Sequence, residues 1–373
     1  MRILITGQHR GSTNALAPIA QELIKRGGHE LTLYATGNQT EAAGFSGLEY
    51  EHLQGEIDYR DRVRGYDLVV VGLSGYKTAD GEFLKAANKA QIPTLAVLDQ
   101  PMNYKDRFGY LPEHIPTKVA VISPRCLDSI RSEMFDLGSE LVLKLIAACK
   151  VVGFTSYDSL GQMRAQHTSA KRDELLKKLS IDPEQLLRLH FTSNVAPGTR
   201  YNLSFGRVGT AAAEFYGYEI ATTGTVMQAA RDMGLTLVIK PHPAEEGEVT
   251  QVLAKHFGHL YVPAKACDSK ELMLAAAQVT GGRTGAINEA CLFDVNTGGL
   301  FPEMDEARMK QEYPAVGLGA IPTTYTHAGI EQLLKDLSDP DPSVEQRLKE
   351  ARTRFSTDAK ASQRAADIIE SMR

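Results

Sequence analysis

The sequence predicts an α/β protein built from two Rossmann-like domains facing a cleft, and three observations carry that prediction. Short β-branched runs alternate with helical patterns, the signature of parallel sheets covered on both faces. The alternation occurs twice, on either side of a polar helical stretch, "SAKRDELLKKLSIDPEQ" at 169–185, the expected connection between domains. At 373 residues the chain is too long for one ordinary core and suits two. The expected domains are 1–168 and 169–373, the second ending in a charged helical pattern.

In the first half the strands are expected at 2–6, 30–35, 48–53, 67–72, 94–99, 118–123 and 150–154. Between the first two lies "NALAPIAQELIKRG" (14–27), where Leu16, Ile19, Ala20, Leu23 and Ile24 recur at helical spacing. In the second half strands are expected at 186–193, 235–240, 259–264, 277–282 and, more weakly patterned, 294–300. Helices fit 208–232, 244–257, 268–276, 285–292 and 327–337. In such folds ligands bind beyond the carboxyl ends of the strands, so polar motifs are sought there.

Composition narrows the classes. A content of 43% hydrophobic and 23% charged residues is that of a globular protein. A net charge of -5 and a pI near 6.1 leave no basic excess for wrapping nucleic acid. Cys126, Cys149, Cys267 and Cys291 show no metal-ligand spacing and read as buried thiols of a reducing compartment. The opening "MRILITG" is a strand rather than a signal peptide, and no run approaches the ~18 apolar residues of a membrane span. A cytoplasmic location is expected.

Five motifs fall at expected strand ends. In "TGQHRGSTNALAP" (6–18), Gly7 and Gly11 permit a tight turn, Ser12, Thr13 or Asn14 caps the next helix, and His9 and Arg10 beside its N-terminus suit an anion. A glycine turn with two solvated side chains is the plainer reading. In "VLDQPMNYKDRF" (97–108), Asp99 follows an apolar strand and Asn103, Lys105 and Arg107 come from a polar loop; Asp99 is a candidate general base, or simply a turn cap before Pro101.

In "LVIKPHP" (237–243), Pro241 and Pro243 stop the sheet and restrict the backbone on both sides of His242. Ordering of that kind is completed in folding rather than on binding, so Lys240 and His242 are candidates for nucleotide phosphates. A histidine satisfied by a neighbouring carbonyl is the alternative. In "TGGRTGAINEACLF" (280–293), a helix expected to start near Thr284 follows a glycine turn, and Arg283, Thr284 and Gly285 suit a diphosphate, with Glu289 one turn further along to accept ribose hydroxyls. The fifth, "FTSNVAPGTRYNLSFGR" (191–207), exceeds the usual ~2–6 residues of a βα loop and offers Thr192, Ser193, Asn194, Arg200 and Tyr201 as ligand contacts.

With these motifs assembled, "IKPHP" is similar to the histidine-proline motif of bacterial sialyltransferases, polysialyltransferases and the glycerophosphotransferases of wall teichoic acid synthesis. The segment "GGRTGAINEA" resembles the glycine–serine/threonine–glutamate segment that these proteins and the UDP-N-acetylglucosamine 2-epimerases use for the nucleotide. "GQHRGSTNALAP" loosely resembles the epimerase opening. The resemblance implies a GT-B fold, with Lys240 and His242 on donor phosphate, Thr284 and Gly285 on the diphosphate and Glu289 on the ribose. "GQHRG" lacks the epimerases' Arg-Pro-Glu, and Thr155 and Ser156 stand where relatives show Asn-Pro or Gln-Pro.

The expectation is therefore a metal-independent glycosyltransferase that moves a sugar or similar group from a nucleotide-activated donor to a small or polymeric acceptor, with no cofactor, no nucleic acid and no membrane span, and with a homodimer left open. Donor contacts are expected from Lys240, His242, Arg283, Thr284, Gly285, Glu289, Ser193 and Asn194, and acceptor contacts from His9, Arg10, Gly11, Asn103, Arg107 and Arg200. Asp99 and His242 are the catalytic pair in this reading. A nucleotide-sugar 2-epimerase, a glycerophosphotransferase and an inactive binding relative are the alternatives.

Overall fold

Two compact units make up the chain: Met1–Ser159 together with Phe355–Arg373, and Leu160–Arg354. The computed structural model describes residues 1–37, 42–193, 211–242, 248–339, 341–343, 346, 350 and 358–373, without the side chains of Leu137 and of 211–219.

Among the described residues the first unit holds seven strands: β1 (Arg2–Gly7), β2 (Glu30–Ala35), β3 (Glu51–His52), β4 (Leu68–Val71), β5 (Thr94–Val97), β6 (Lys118–Val121) and β7 (Cys149–Val151). They lie in the order β3-β2-β1-β4-β5-β6-β7, every neighbour parallel. The central strands are apolar on both faces because helices cover both, and Leu68–Val71 is wholly buried. The second unit repeats the plan with β8 (Arg188–Phe191), β9 (Leu237–Lys240), β10 (Leu260–Tyr261), β11 (Gln278–Gly281), β12 (Asn296–Leu300) and β13 (Thr323–Thr324), ordered β10-β9-β8-β11-β12-β13. Both sheets carry the doubly wound order, which reverses direction between β1 and β4 and between β8 and β11.

All twelve expected strands form, most of them trimmed at their ends. Among the described strands only β13 has no counterpart in the sequence pattern, since two threonines make no apolar run. The first helix begins earlier than expected, spanning Arg10–Arg26 rather than starting at Asn14, so Gly11 sits in its first turn.

The domain limits differ from 1–168 and 169–373 in two ways. The 169–185 stretch is part of the second unit rather than a connection: Leu176 is buried, and Arg172 donates to the carbonyls of Ala275 (3.2 Å) and Pro183 (2.8 Å). The C-terminal helix, Ala361–Glu370, returns to the first unit. Its Ala365, Ala366 and Ile369 join the core around Leu16, Ile19 and Leu23. Arg26 binds Asp367 at 2.7 Å and Glu370 at 2.9 Å, and Asp158 accepts from the backbone N–H groups of Ala361 (3.1 Å) and Ser362 (2.7 Å) at the helix N-terminus.

The thiols also differ from the reading of four buried cysteines. All are free, but only Cys126 and Cys291 are buried, while Cys149 and Cys267 are partly exposed. No described helix is long and apolar enough to cross a membrane.

The returning helix makes a specific demand. Ile369→Ala removes a fully buried side chain and is expected to cost about 2–5 kcal/mol. Hydrogen exchange should then rise in the Arg10–Arg26 helix and stay unchanged in strand β11; equal acceleration in both would contradict the assignment of residues 361–370 to the first unit.

Candidate functional site

In the second unit, three strands end level with one another. Phe191 at the end of β8 is in register with Lys240 of β9 on one side and Gly281 of β11 on the other. The two residues that follow, Thr192 and Ser193, are both 3% exposed and turn their hydroxyls in opposite directions along the sheet. Thr192 Oγ1 accepts from the backbone N–H of His242 at 3.2 Å, and Ser193 Oγ accepts from that of Arg283 at 3.0 Å. Adjacent Cα atoms lie ~3.8 Å apart, so the histidine turn and the glycine turn are tied to neighbouring points of one strand exit.

The glycine turn is tight. Thr284 N–H donates to the carbonyl of Gly282 at 2.8 Å, and Thr284 Oγ1 accepts from Ala286 N–H at 3.2 Å, just ahead of the short helix Ala286–Leu292, whose N-cap is Gly285. A Cβ on Gly282 would stand 2.8 Å from the Leu300 carbonyl, closer than real side chains approach, so only glycine lets this turn lie against β12. Gly285 is exposed, and Arg283 and Thr284 are half-buried. Asn288 anchors the helix by accepting from Ala315 N–H at 3.1 Å. Glu289 is half-buried with Lys270 Nζ 4.0 Å from its carboxylate.

Lys240 is placed otherwise than expected. It is 1% exposed, and its ammonium donates to the carbonyls of Pro263 (2.8 Å), Ala264 (2.8 Å) and Cys267 (3.1 Å). An ammonium has three protons, and all three are taken. Burial holds its pKa below the ordinary lysine value. Lys240 thus fixes the loop after β10. Asn194, Arg200, Tyr201 and Pro243 lie outside the described residues.

In the first unit the exits of β1, β4 and β5 meet around Asp99. Its Oδ1 pairs with Arg107 at 2.9 Å, and the same guanidinium donates to the carbonyls of Leu73 (2.7 Å) and Met102 (2.9 Å). Arg107 is 5% exposed and holds Asp99 in place. A Cβ on Gly11 would overlap Asp99 Oδ2, so Gly11 admits the carboxylate to the first turn of the Arg10–Arg26 helix rather than forming a turn itself. His9 precedes that helix, where Ser12 Oγ accepts from His9 N–H at 3.1 Å and donates to the His9 carbonyl at 2.7 Å. His9 is exposed and Arg10 half-buried; Asn103 is exposed with a left-handed backbone, φ 61°.

Asp80, absent from the expected site, is completely buried between these exits. Its Oδ2 accepts from Gln8 N–H at 3.2 Å and from Ser74 Oγ at 3.3 Å, while Oδ1 has no partner among the described residues. Burial above all, with repulsion from Asp99 as a lesser cause, pushes its pKa up to about 8, so the group is a neutral acid at pH 7. In the sequence it reads as an ordinary acidic residue in the first turn of a helix, Ala79–Lys89, and nothing there distinguishes it.

No protein-family model matches the sequence, and no curated protein matches it. The fold does match solved structures. The UDP-GlcNAc 2-epimerase of Neisseria meningitidis, solved bound to UDP-GlcNAc, superposes with a TM-score of 0.71 at 14% identity over 100% of both chains. MnaA of S. aureus, solved with UDP, gives 0.68 at 16% identity over 99% of this chain and 96% of that one. The wall teichoic acid polymerase TagF, soaked with CDPG, gives 0.62 at 11% identity over 99% of this chain and 88% of that one. The chain has the GT-B fold. In GT-B terms the Asp99 cluster sits on the N-terminal Rossmann-like unit and the His242 and Gly282 turns on the C-terminal one, each at the point where its strand order reverses.

The buried acid makes stability pH-dependent. Between about pH 4 and 8 the unfolded chain has lost this proton and the native state keeps it, so Asp80's contribution falls as pH rises through that window and levels off above it. Asp80→Asn removes the titration while keeping an acceptor oxygen. The Tm difference between variant and wild type is expected to grow in the variant's favour from pH 5 to pH 9, by ~2–4 °C for each kcal/mol. Parallel profiles would contradict a neutral Asp80.

Proposed function

We propose that the chain is a transferase that uses a nucleotide-activated donor, with a sugar or a similar group passing to an acceptor hydroxyl. The observation that carries this reading is the pair of hydroxyl-to-backbone hydrogen bonds joining the His242 turn and the Gly282–Gly285 turn to one strand exit. Two rigid turns so close together suit the two phosphates of a nucleoside diphosphate. Structures of the same fold solved with UDP, UDP-GlcNAc and CDPG support that chemistry.

In this mechanism the acceptor oxygen forms a bond to the transferred group while the bond from that group to the donor phosphate breaks. The electron pair goes to the leaving phosphate oxygen. His242 donates a hydrogen bond or a proton to that oxygen, and the backbone N–H groups and Thr284 hydroxyl of the glycine turn offset the rest of the developing charge. Glu289 accepts the ribose hydroxyls. Asp99, held by Arg107, takes the acceptor's proton. Lost donors of the His242 kind slow such reactions by about 10²–10³.

A nucleotide-sugar 2-epimerase is the second reading, favoured by the end-to-end superposition on the N. meningitidis enzyme. It needs only the donor. Incubation with UDP-GlcNAc alone therefore separates the two: an unchanged sugar agrees with transfer, and a 2-epimer or an elimination product contradicts it.

Donor binding is tested by thermal shift with UDP, CDP and UDP-GlcNAc, since ligand at 100 times Kd stabilises by about 2.7 kcal/mol. Wild type should be stabilised by one nucleotide class, and His242→Ala should lose that shift. Lys240→Met should lower the baseline Tm, because three buried carbonyls lose their donor, while keeping the ligand-induced shift. Loss of the shift in Lys240→Met but not in His242→Ala would reverse the assignment.

A further inference from the structure

The second unit places one more lysine at its candidate donor site. Lys270 is the second residue of the helix Ser269–Ala275, and its ammonium stands 4.0 Å from a carboxylate oxygen of Glu289, with 21% of each side chain exposed. We propose that Lys270 is the positioning residue that holds Glu289 for the donor's ribose, so that the pair selects ribonucleotides over 2′-deoxyribonucleotides. The inference rests on the reading of Glu289 as the acceptor of the ribose hydroxyls.

Both side chains start from fixed backbone. Glu289 follows Gly285 by four positions and Ala286 by three, which puts it on the helix face that continues from the glycine turn. Ile287, Ala290 and Cys291 bury the opposite face, and Asn288 is tied to Ala315 N–H at 3.1 Å, so the helix is held against rotation. Lys270 is delivered from the other side by the loop that Lys240 encloses. The Lys240 ammonium donates to the carbonyls of Pro263, Ala264 and Cys267, and the next residue, Asp268, is the N-cap of the Ser269–Ala275 helix. Asp268 Oδ1 accepts from the Lys270 N–H at 2.7 Å, and Leu272 and Met273 of the same helix are buried. The buried lysine at the end of β9 therefore fixes the loop from which Lys270 reaches Glu289.

The chemistry of a ribose contact asks for such a neighbour. A glutamate that must accept two adjacent hydroxyls loses rotamer freedom on binding unless that freedom is already restricted. An ionised carboxylate one helical turn from a diphosphate also repels it, and an ammonium at 4.0 Å offsets the repulsion. That separation is too long for a hydrogen bond, so Lys270 acts on the carboxylate's charge and placement without taking a lone pair from the oxygen it faces. A 2′-deoxyribose lacks one of the two hydroxyls, and the preference between the two sugars reads out how well the carboxylate is placed.

Calorimetric titration of the full chain with UDP, CDP and their 2′-deoxy forms tests this. Wild type should bind the ribonucleotide of its class about tenfold or more tightly than the deoxy form, the value of one hydrogen bond to a charged group. Lys270→Met should bring that ratio close to unity, as Glu289→Gln does, and Lys270→Arg, which keeps the charge, should retain most of it. A ratio lost in Glu289→Gln but intact in Lys270→Met overturns the inference and leaves the ribose reading standing, even if Lys270→Met weakens both nucleotides alike, since Lys270 would then meet the phosphates directly. Equal losses of the ratio in Lys270→Met and Lys270→Arg also overturn it. Equal binding of both sugars by wild type, or a ratio that survives Glu289→Gln, sinks the ribose reading and the inference with it, and binding of none of the four nucleotides sinks the donor site as a whole.

Discussion

The two adjacent hydroxyls at the end of β8 are the constraint on which the rest of the candidate donor site depends. A parallel strand that ends in the middle of a sheet leaves its neighbours' exits free to diverge. Thr192 and Ser193 prevent this by accepting one backbone N–H from each side. Each such bond is worth only ~0.5–1.5 kcal/mol net, but leaving a buried partner unsatisfied costs more, so the geometry is held by the penalty as much as by the bond. The sheet order supplies the rest, since β8 lies next to both β9 and β11 at the reversal point. A phosphate-binding arrangement that is ordered during folding needs no further ordering when ligand arrives.

Much of this was legible in the sequence, and what was not follows a physical pattern. Strands and helices were readable because a doubly wound fold buries its strands on both faces and its helices on one, which writes period and composition into the chain. The His242 and Thr284 turns were readable because proline and glycine mark them locally. The carbonyl cage around Lys240 was not legible, because a lysine at the end of a buried strand looks the same whatever it meets and its partners stand more than twenty residues away. The same holds for Arg107, which reaches back to Leu73, and for the C-terminal helix, whose partner face is at the other end of the chain. Asp80 escaped notice because burial is a property of the folded neighbourhood.

The first unit shows a different economy of charge. Asp99 is admitted by the missing side chain of Gly11 and held by a guanidinium that also fixes the exit of β4. Removing Arg107 would leave a largely buried carboxylate without its partner, a change of the kind that typically costs 3–5 kcal/mol. Asp80, buried close to it, is pushed by burial toward its neutral form.

The most direct measurement is a crystal structure of the chain with UDP. The account predicts the diphosphate bridging the His242 imidazole and the backbone of Gly282–Gly285, with Thr192 and Ser193 still bonded to the same two N–H groups and Lys240 still enclosed by its carbonyls. A nucleotide bound elsewhere, or one that draws Lys240 out to its phosphates while His242 makes no contact, would contradict it.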